Sequence, residues 1–238
     1  NKSLSTVLIT GASRGIGKAA AKEFAKDGWD LLLVARNESS IKELLQELEE
    51  MGTNFHCNFI DLSKPFQIAP GIKKLLGNGL SPSVLINNAG VAWTGELMSM
   101  PLNDWEWLMQ INLTSIFQIC SEVVPFMRLK GGLIVNINSH ASRNAFPEWG
   151  AYCVSKAALE SFTRCLAEEE RKHYIRACTL TLGAVNSSLW DTDTVHSKFD
   201  RDAMLSEYQV ALELLHLAKQ PSNQVIEDLT LMPSIGAF

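Results

Sequence analysis

The sequence predicts an α/β fold with a doubly wound sheet of about seven mostly parallel strands and helices on both faces. Three observations support this prediction. Short runs of Val, Leu and Ile alternate along the chain with segments whose apolar residues recur at helical spacing. The first of these short runs are continuously apolar, which is typical of parallel strands buried on both faces. A glycine-rich turn joins the first strand to the first helix, and ligand-binding crevices form at such turns in this class of fold.

Seven strands and six helices are predicted in order. A glycine at Gly28 ends the first helix and another at Gly52 ends the second, as left-handed helix caps commonly do. Pro125 marks the end of the fourth helix or a kink in it. The predicted strands cover residues 7–9, 31–35, 55–62, 84–86, 133–137, 175–182 and 229–231. The predicted helices cover residues 16–27, 41–51, 66–76, 103–127, 152–173 and 201–218.

The composition is that of an ordinary globular domain. The chain has 238 residues, of which 46% are hydrophobic and 20% charged, and its net charge is −5. These values, with no linker or repeat, predict a single domain over residues 1–238. The acidic balance disfavours a nucleic-acid-binding surface, which needs clustered Lys and Arg. No apolar run reaches the roughly 18 residues of a membrane span and no signal segment is visible, so we expect a cytoplasmic protein.

The cysteines predict neither a metal site nor a disulfide framework. Their number is odd and no two have CxxC spacing, so reduced thiols are expected. The five are Cys57, Cys120, Cys153, Cys165 and Cys178.

The glycine-rich turn is suited to a dinucleotide. Gly11 permits a tight turn, Gly15 lets the backbone approach a diphosphate, and Gly17 allows close packing of helix and strand. The amino end of the following helix favours negative charge, because its N–H groups are unpaired and the helix dipole points there. The alternative is a glycine-rich turn without a ligand.

A second motif, YxxxK, carries acid–base chemistry. Tyr152 and Lys156 are four positions apart at the start of a predicted helix, so they share one helical face. A phenol with an ordinary pKa near 10 is a poor proton relay at neutral pH, and we expect the nearby ammonium to lower that pKa. Ser139 ends the fifth predicted strand, thirteen positions before Tyr152. Asn112 lies on the long middle helix.

Together these motifs resemble the short single-domain branch of the short-chain dehydrogenase/reductase family, whose pattern is TGxxxGxG, then NNAG, then Ser and YxxxK. The resemblance runs from Thr10 to the last strand and departs at Leu182, where the family usually has proline. It implies a Rossmann-type fold that transfers a hydride between a nicotinamide cofactor and a carbonyl or alcohol. It also implies roles for the catalytic set. Tyr152 would be the acid/base, Lys156 would hold the ribose, Ser139 would bind the substrate oxygen, and Asn112 would hold a water that links the lysine to solvent.

The cofactor expected is NADP(H). The second strand ends at Arg36 with no carboxylate, and a guanidinium pairs with a 2′-phosphate that a carboxylate would repel. In family members that use NADP, a cation in the position of Arg14 reaches the same phosphate. Glu38 nearby leaves NAD(H) as the alternative. The cofactor residues expected from the turn and the resemblance are Gly11, Ser13, Arg14, Gly15, Ile16, Gly17, Arg36, Asp61, Leu62, Asn88, Ala89, Gly90, Tyr152, Lys156, Val185 and Ser187.

For the substrate, the resemblance points to a lid at residues 188–202 and to four large side chains beside the pocket. These are Trp93, His140, Trp149 and Trp190. Aromatic walls favour an apolar or planar small molecule. The alternative is that the tryptophans pack loops or a subunit interface. A 3-ketoacyl reductase remains open, because Arg128, Lys130 and Arg143 could contribute positive charge toward an acyl carrier.

Other functions remain as alternatives. One is an NADP-binding regulatory or scaffold protein without turnover, and another is an epimerase or dehydratase of the family's longer branch. The resemblance also implies a homotetramer or homodimer, joined through the helices that contain Asn112 and Tyr152, with Phe117, Phe162 and Leu166 as candidate contacts. No nucleic-acid, membrane or metal partner is expected.

Overall fold

The computed structural model describes residues 5–77, 79–196 and 200–236. The strands are β1 (Thr6–Thr10), β2 (Asp30–Ala35), β3 (Phe55–Phe59), β4 (Val84–Asn87), β5 (Gly132–Ser139), β6 (Ile175–Leu182), β7 (Val185–Asn186), β8 (Leu205–Ser206) and β9 (Asp228–Leu231). The α-helices are α1 (Gly15–Lys26), α2 (Lys42–Glu50), α3 (Pro65–Leu76), α4 (Leu102–Met109), α5 (Ser115–Met127), α6 (Gly150–Glu170) and α7 (Glu207–Ala218). Short 3₁₀ helices cover Leu97–Ser99, His140–Ser142, Arg171–His173, Ser188–Asp191 and Arg201–Ala203.

Seven strands form one sheet in the order β3-β2-β1-β4-β5-β6-β9, and every neighbouring pair is parallel. The chain first adds strands on one side of β1 and then returns to add β4 on the other. This reversal leaves a crevice beyond the carboxyl ends of β1 and β4, where ligands bind in doubly wound sheets. The predicted fold class is confirmed. A second small sheet pairs β7 with β8.

The sheet is buried on both faces, which explains the continuous apolar runs. In β1, Val7 and Ile9 belong to a core that includes residues of α1, α2 and α7, whereas Leu8 belongs to a core on the other face with residues of α3, α5 and α6. Alternate side chains of a strand point to opposite faces, so a strand covered on both sides needs apolar residues throughout.

The end of β3 differs from the prediction. The strand stops at Phe59 rather than at residue 62. The Ile60 amide still bonds to the carbonyl of Ala35, at 2.8 Å, but Asp61 then turns the chain by accepting hydrogen bonds from Ser63. Asx turns of this kind compete with continued strand pairing.

The last helix begins at Glu207, not at residue 201. Ser206 and Gln209 form a capping box, with the Gln209 amide donating to Ser206 Oγ at 3.2 Å and the Ser206 amide donating to Gln209 Oε1 at 2.8 Å. This reciprocal pair satisfies amides that the first turn leaves unbonded, and so fixes where the helix starts.

The long middle helix is interrupted by a π-helical turn at Gln110–Thr114, which separates α4 from α5. A π turn accommodates an extra residue and is frequent at functional sites. Pro125 lies within α5, which continues to Met127.

Three further observations concern the described residues. None of their helices combines the length and the apolar character needed to cross a membrane. No three of their His, Cys, Asp and Glu side chains gather in a way that could hold a metal ion. The five cysteines are free thiols, and burial raises the pKa of Cys57, Cys120 and Cys178 to about 12.

Candidate active site

A cavity of about 820 Å³ lies beyond the carboxyl ends of the strands. Most of the sequence-predicted site residues line it. They are Gly11, Ser13, Arg14, Gly15, Ile16, Arg36, Asp61, Leu62, Asn88, Ala89, Gly90, Ser139, His140, Trp149, Tyr152, Lys156, Val185, Ser187 and Trp190. Three predicted residues do not line it, namely Gly17, Trp93 and Asn112, and each has another position described below.

The glycine turn forms one wall of the cavity. Gly11 and Gly15 have φ values of +64° and +61°, which side-chain-bearing residues rarely adopt. Gly17 lies behind the turn, and a Cβ there would be 2.2 Å from the carbonyl oxygen of Gly11. Gly17 is therefore required for close packing of α1 against the turn, not for ligand contact.

The NNAG segment ties this turn to β4. Thr10 Oγ1 accepts hydrogen bonds from the amides of Asn88 and Ala89, both at 3.1 Å. The Asn88 amide group donates back to the carbonyls of Thr10 and Gly11, at 3.0 and 3.2 Å. These four bonds fix the crevice between β1 and β4.

Two arginines lie at the end of the cavity formed by β1 and β2. Arg14 and Arg36 are both exposed, and among the described residues neither guanidinium has an ion pair. Glu38 is not among the described residues that line the cavity, and its carbonyl accepts the first amides of α2. Asp61 does line it, and one of its carboxylate oxygens is bonded to Ser63.

Tyr152, Ser139 and Lys156 meet at the other end. Ser139 ends β5 and caps the following 3₁₀ helix by accepting from the Ala141 amide, at 3.1 Å. Lys156 is 6% exposed, and its Nζ atom donates to the carbonyl of Ile137 at 3.0 Å. The same Nζ atom lies 5.7 Å from the centre of the Tyr152 ring.

Burial dominates the electrostatics of this group. It raises the pKa of Tyr152 to about 12, while a hydrogen bond with Ser139 acts in the opposite direction. The expectation that the pKa of Tyr152 is lowered was therefore wrong for this structure, because the phenol is desolvated. Burial also lowers the pKa of Lys156 to about 8, which still leaves most of the ammonium charged at neutral pH.

Asn112 lies behind the cavity in the π turn and is fully buried. Its side chain bonds both the amide and the carbonyl of Val91, each at 2.8 Å, and donates to Ser155 Oγ at 3.1 Å. A Cβ on Gly90 would lie 3.5 Å from Asn112 Oδ1 and 3.7 Å from Lys156 Nζ. Asn112 thus joins the NNAG segment to α6 and lies near the lysine.

Aromatic rings form the wall of the cavity beside Tyr152. Trp149 stands edge-to-face with Tyr152, with ring centres 5.6 Å apart, and equally with Trp190 on its other side, also at 5.6 Å. The Trp190 indole donates to the Val185 carbonyl at 2.7 Å. Trp93 was expected beside the pocket but does not line it, because its ring folds over Gly95, where an added Cβ would be only 2.5 Å from the indole.

The predicted lid begins with the 3₁₀ helix Ser188–Asp191, and residues 197–199 of it lie outside the described part of the chain. The lid is bonded to the segment after β4, through Thr194 Oγ1 to Ala92 and through the Thr94 amide to the Thr194 carbonyl. Arg201 clamps its base by bonding Asp191. Leu182, where the family usually has proline, is the buried last residue of β6.

Among the cavity residues that were not predicted from the sequence, Asn138 and Glu148 have unusual environments. Asn138 is 2% exposed, and neither polar atom of its side chain has a hydrogen-bond partner among the described residues. Its place directly before Ser139 was the only available signal. Glu148 also lines the cavity and has a φ of +67°, which no local sequence pattern indicates.

Of the expected subunit contacts, only Phe117 is well exposed, at 57%. Phe162 and Leu166 pack against the core on the α3, α5 and α6 face.

Comparison with known proteins adds a family match. The family model described as short chain dehydrogenase matches residues 5–197. The chain is 28% identical to the 3-oxoacyl-[acyl-carrier-protein] reductase FabG of Chlamydia muridarum, over 92% of this chain and 91% of that protein. It is 26% identical to the serine 3-dehydrogenase of Rhizobium radiobacter, over 98% of this chain and 95% of that protein. Among solved structures, an alcohol dehydrogenase from the archaeon Thermococcus sibiricus, complexed with 5-hydroxy-NADP, superposes with a TM-score of 0.89 at 26% identity and 97% coverage of both chains.

Proposed function

Because this chain belongs to the short-chain dehydrogenase family, we propose that it is an NADP(H)-dependent oxidoreductase that interconverts a carbonyl and an alcohol. One observation carries the proposal. A single cavity has the glycine turn and two arginines at one end and Tyr152, Ser139 and Lys156 at the other. That arrangement matches a molecule with phosphates at one end and a redox-active ring at the other.

The residues present fit a nicotinamide dinucleotide. The cavity volume of about 820 Å³ lies within the usual range for cofactor sites. A Cβ on Gly15 would have only Glu207 Oε1 within 4 Å, at 3.5 Å, so the turn is open at this position, and the amino end of α1 favours a diphosphate. Gly15 and Ser13 would hold the diphosphate, Asp61 and Leu62 the adenine, and Val185 and Ser187 the carboxamide.

The arginines support the phosphorylated form of the cofactor. Arg36 follows the end of β2 and Arg14 lies in the glycine turn, and both line the cavity. Their guanidinium groups would pair with a 2′-phosphate. The similar archaeal structure contains 5-hydroxy-NADP, which agrees with this choice.

The reaction follows from the positions of three side chains. The bound cofactor supplies the hydride that adds to the carbonyl carbon. Ser139 and Tyr152 would hold the carbonyl oxygen by hydrogen bonds and stabilise the charge that develops on it. Tyr152 then donates its phenolic proton to that oxygen, so that the carbonyl becomes an alcohol. With a pKa raised to about 12, Tyr152 is protonated at neutral pH and ready to donate.

Lys156 has two roles in this proposal. Its ammonium lies close enough to the Tyr152 ring to stabilise the phenolate that remains after proton transfer. It would also bind the ribose next to the nicotinamide. Asn112 holds the segment around Gly90 against α6, and so keeps Lys156 in place.

The test is a titration followed by an activity screen. Titrations with NADPH and with NADH, followed by the quenching of tryptophan fluorescence, should show that NADPH binds more tightly. A panel of ketones and aldehydes is then tested with NADPH. For each substrate that reacts, the amount of alcohol formed, measured by mass spectrometry, should equal the amount of NADPH consumed. Equal binding of NADH would contradict the choice of cofactor. Tight NADPH binding without turnover of any carbonyl would instead favour the scaffold alternative.

The proposal includes a homodimer or homotetramer joined through α5 and α6. Phe117 and Phe126 on α5 and Val154 on α6 are more than two-fifths exposed, which leaves apolar surface on both helices available for a subunit contact. Sedimentation velocity checks this, and a monomer at micromolar concentration would contradict it.

A further inference from the structure

We infer that the physiological substrate is an uncharged carbonyl or alcohol that carries a ring next to the reacting carbon, and not an anionic acyl thioester. This inference rests on the proposed hydride transfer and names the substrate class for the same site. It differs from the substrate of the chlamydial reductase to which the chain is similar. Two features of the cavity carry it, the aromatic wall and the distribution of charge.

The wall consists of three aromatic rings in a row, beginning with Tyr152, whose hydroxyl is the proposed proton donor. Tyr152, Trp149 and Trp190 stand in sequence, each pair edge-to-face with ring centres 5.6 Å apart. All three line the cavity. Aromatic rings attract one another in edge-to-face and offset-stacked geometry, so a ring on the ligand can pack against this wall, and large apolar surface favours a planar apolar ligand.

The position of this wall is fixed in advance of binding. The Trp190 indole is bonded to the Val185 carbonyl at 2.7 Å, and the Trp149 amide to the Phe146 carbonyl at 3.1 Å. Glu148, which directly precedes Trp149 in the chain, has a left-handed backbone conformation. The Gly95 amide donates a hydrogen bond to the Glu148 carbonyl at 2.9 Å. A side-chain-bearing residue in this conformation costs free energy, and such strain clusters at functional sites. A rigid wall discriminates substrates better than a mobile one.

The charge at this end disfavours an anion. Among the described residues that line the cavity, the cations are Arg36 at the other end, Arg14, whose charge also lowers the pKa of Asp191, and Lys156, which bonds the Ile137 carbonyl. Glu148 is exposed and adds a carboxylate close to the wall.

The nearest further arginines are already neutralised. Arg143 pairs with Glu160 and Asp228, and Arg201 pairs with Asp191. His140 and His196 also line the cavity. A carboxylate substrate, or a thioester on a phosphopantetheine arm with its phosphodiester, would therefore meet the carboxylate of Glu148, whereas the ammonium at this end, that of Lys156, is bonded to the Ile137 carbonyl.

The test compares ketones that differ only in charge. Acetophenone, 4-acetylbenzoate and (4-acetylphenyl)trimethylammonium share one reacting carbonyl, and acetoacetyl-CoA represents the thioesters. At pH 8 and low salt with saturating NADPH, we expect kcat/KM for acetophenone to exceed that for 4-acetylbenzoate by about tenfold or more, within the range that a single pocket achieves. Acetoacetyl-CoA should be the poorest of the four.

Variants then separate the two features. Glu148→Gln removes the charge and should reduce the difference in kcat/KM between acetophenone and 4-acetylbenzoate. Glu148→Lys should make kcat/KM higher for 4-acetylbenzoate than for acetophenone. Trp149→Leu should raise KM for acetophenone about tenfold while leaving a small aliphatic ketone such as butanone nearly unchanged. Trp149→Phe keeps a ring and should restore most of the loss, which controls for misfolding.

Several outcomes would overturn the inference while leaving the proposed function intact. One is a higher kcat/KM for 4-acetylbenzoate or acetoacetyl-CoA than for acetophenone. Another is a preference for the ammonium ketone that disappears in Glu148→Gln, since the site would then select cations. If none of the four is reduced, binding of acetophenone to the NADPH complex is measured instead, by the quenching of tryptophan fluorescence. Absence of saturable binding overturns the inference, and saturable binding weakened by Trp149→Leu supports it. The proposed function itself fails only if the wider carbonyl screen also shows no reduction.

Discussion

Lys156 places its Nζ atom 5.7 Å from the centre of the Tyr152 ring and 3.0 Å from the carbonyl oxygen of Ile137. The two side chains lie one turn apart on α6, and the carbonyl at the end of β5 holds the ammonium beside the phenol. The sheet edge and the helix therefore position the proposed acid/base pair together. This relationship makes the roles of the two residues separable by experiment.

Tyr152→Phe should keep cofactor binding and lose turnover. Phenylalanine retains the ring that packs against Trp149 but cannot donate a proton to the substrate oxygen. We expect kcat to fall by roughly 10²–10⁴, the usual contribution of general acid catalysis. Measurement of kcat beside an NADPH titration checks this, with Tyr208→Phe, exposed on α7, as the matched control. Near-normal turnover in Tyr152→Phe would contradict the assignment.

Lys156→Met should stabilise the cofactor-free protein at neutral pH. Burial lowers the pKa of Lys156 from 10.5 to about 8, so the unfolded state binds more protons between these values. The stability of the wild type therefore rises across this window, and below pH 8 the buried charge costs about 3 kcal/mol. The lost hydrogen bond to Ile137 offsets part of the gain.

Urea unfolding at pH 7 and pH 9.5 measures the effect. The free energy of unfolding of Lys156→Met should exceed that of the wild type at pH 7, and the difference should shrink at pH 9.5. The exposed Lys42→Met serves as the control, with no pH-dependent difference. A gain that grows with pH would contradict the prediction.

Arg36→Ala should weaken NADPH binding without affecting NADH. The guanidinium would pair only with the 2′-phosphate, and a charge-assisted hydrogen bond of this kind contributes about 1.5–3 kcal/mol, or about 10- to 100-fold in affinity. Fluorescence titration at low salt checks this, and the difference should decrease at high salt because screening weakens the pair. Unchanged NADPH affinity in both Arg36→Ala and Arg14→Ala would mean that other groups bind the ribose.

Gly17→Ala should destabilise the protein and the cofactor site together. The added Cβ would lie 2.2 Å from the Gly11 carbonyl oxygen and 2.6 Å from Asn88 Nδ2, so the backbone of the turn must move. Overpacking of this kind costs about 1–3 kcal/mol or more. Gly77→Ala is the control, since its Cβ would meet only contacts of 3.4 Å. Equal melting temperatures for the two variants would contradict the role given to Gly17.

Arg128→Met should lower stability more than Arg171→Met. Glu170 is 4% exposed and is bonded by two nitrogens of Arg128, with Nε at 2.8 Å, whereas Arg171 pairs with the exposed Glu168. Removal of Arg128 leaves a buried carboxylate without a partner, which costs about 1–3 kcal/mol, against less than about 1 kcal/mol for the surface pair.

The pH dependence of that loss follows from Glu170. Arg128 holds the pKa of Glu170 below its ordinary value of 4.5, so the pair stabilises above that pH and its contribution is lost as the pH falls through the lowered pKa. The deficit of Arg128→Met should therefore shrink in unfolding experiments near pH 4. A deficit that is independent of pH would indicate packing rather than charge.

The sequence determined the fold class and the main cavity residues by itself. Continuous apolar strands mark a doubly covered sheet, and the glycine spacing and YxxxK reflect local backbone and helix geometry that few other residues satisfy. Their order and spacing indicated the family without tertiary information.

Only the tertiary structure decided features that depend on distant contacts. Asn112 lies in a π turn, where its side chain bonds Val91 in the segment after β4, and Trp93 turns from the cavity onto Gly95. The pKa of Tyr152 rises rather than falls because burial outweighs the hydrogen bond with Ser139. Glu148 lines the cavity beside Trp149 with a left-handed backbone conformation, and a hydrogen bond from the Gly95 amide holds that conformation. Periodicity and spacing in the sequence indicate the local structure of a segment and the side chains on each of its faces. Desolvation and long-range hydrogen bonds depend on the other segments that pack against that segment in the folded protein.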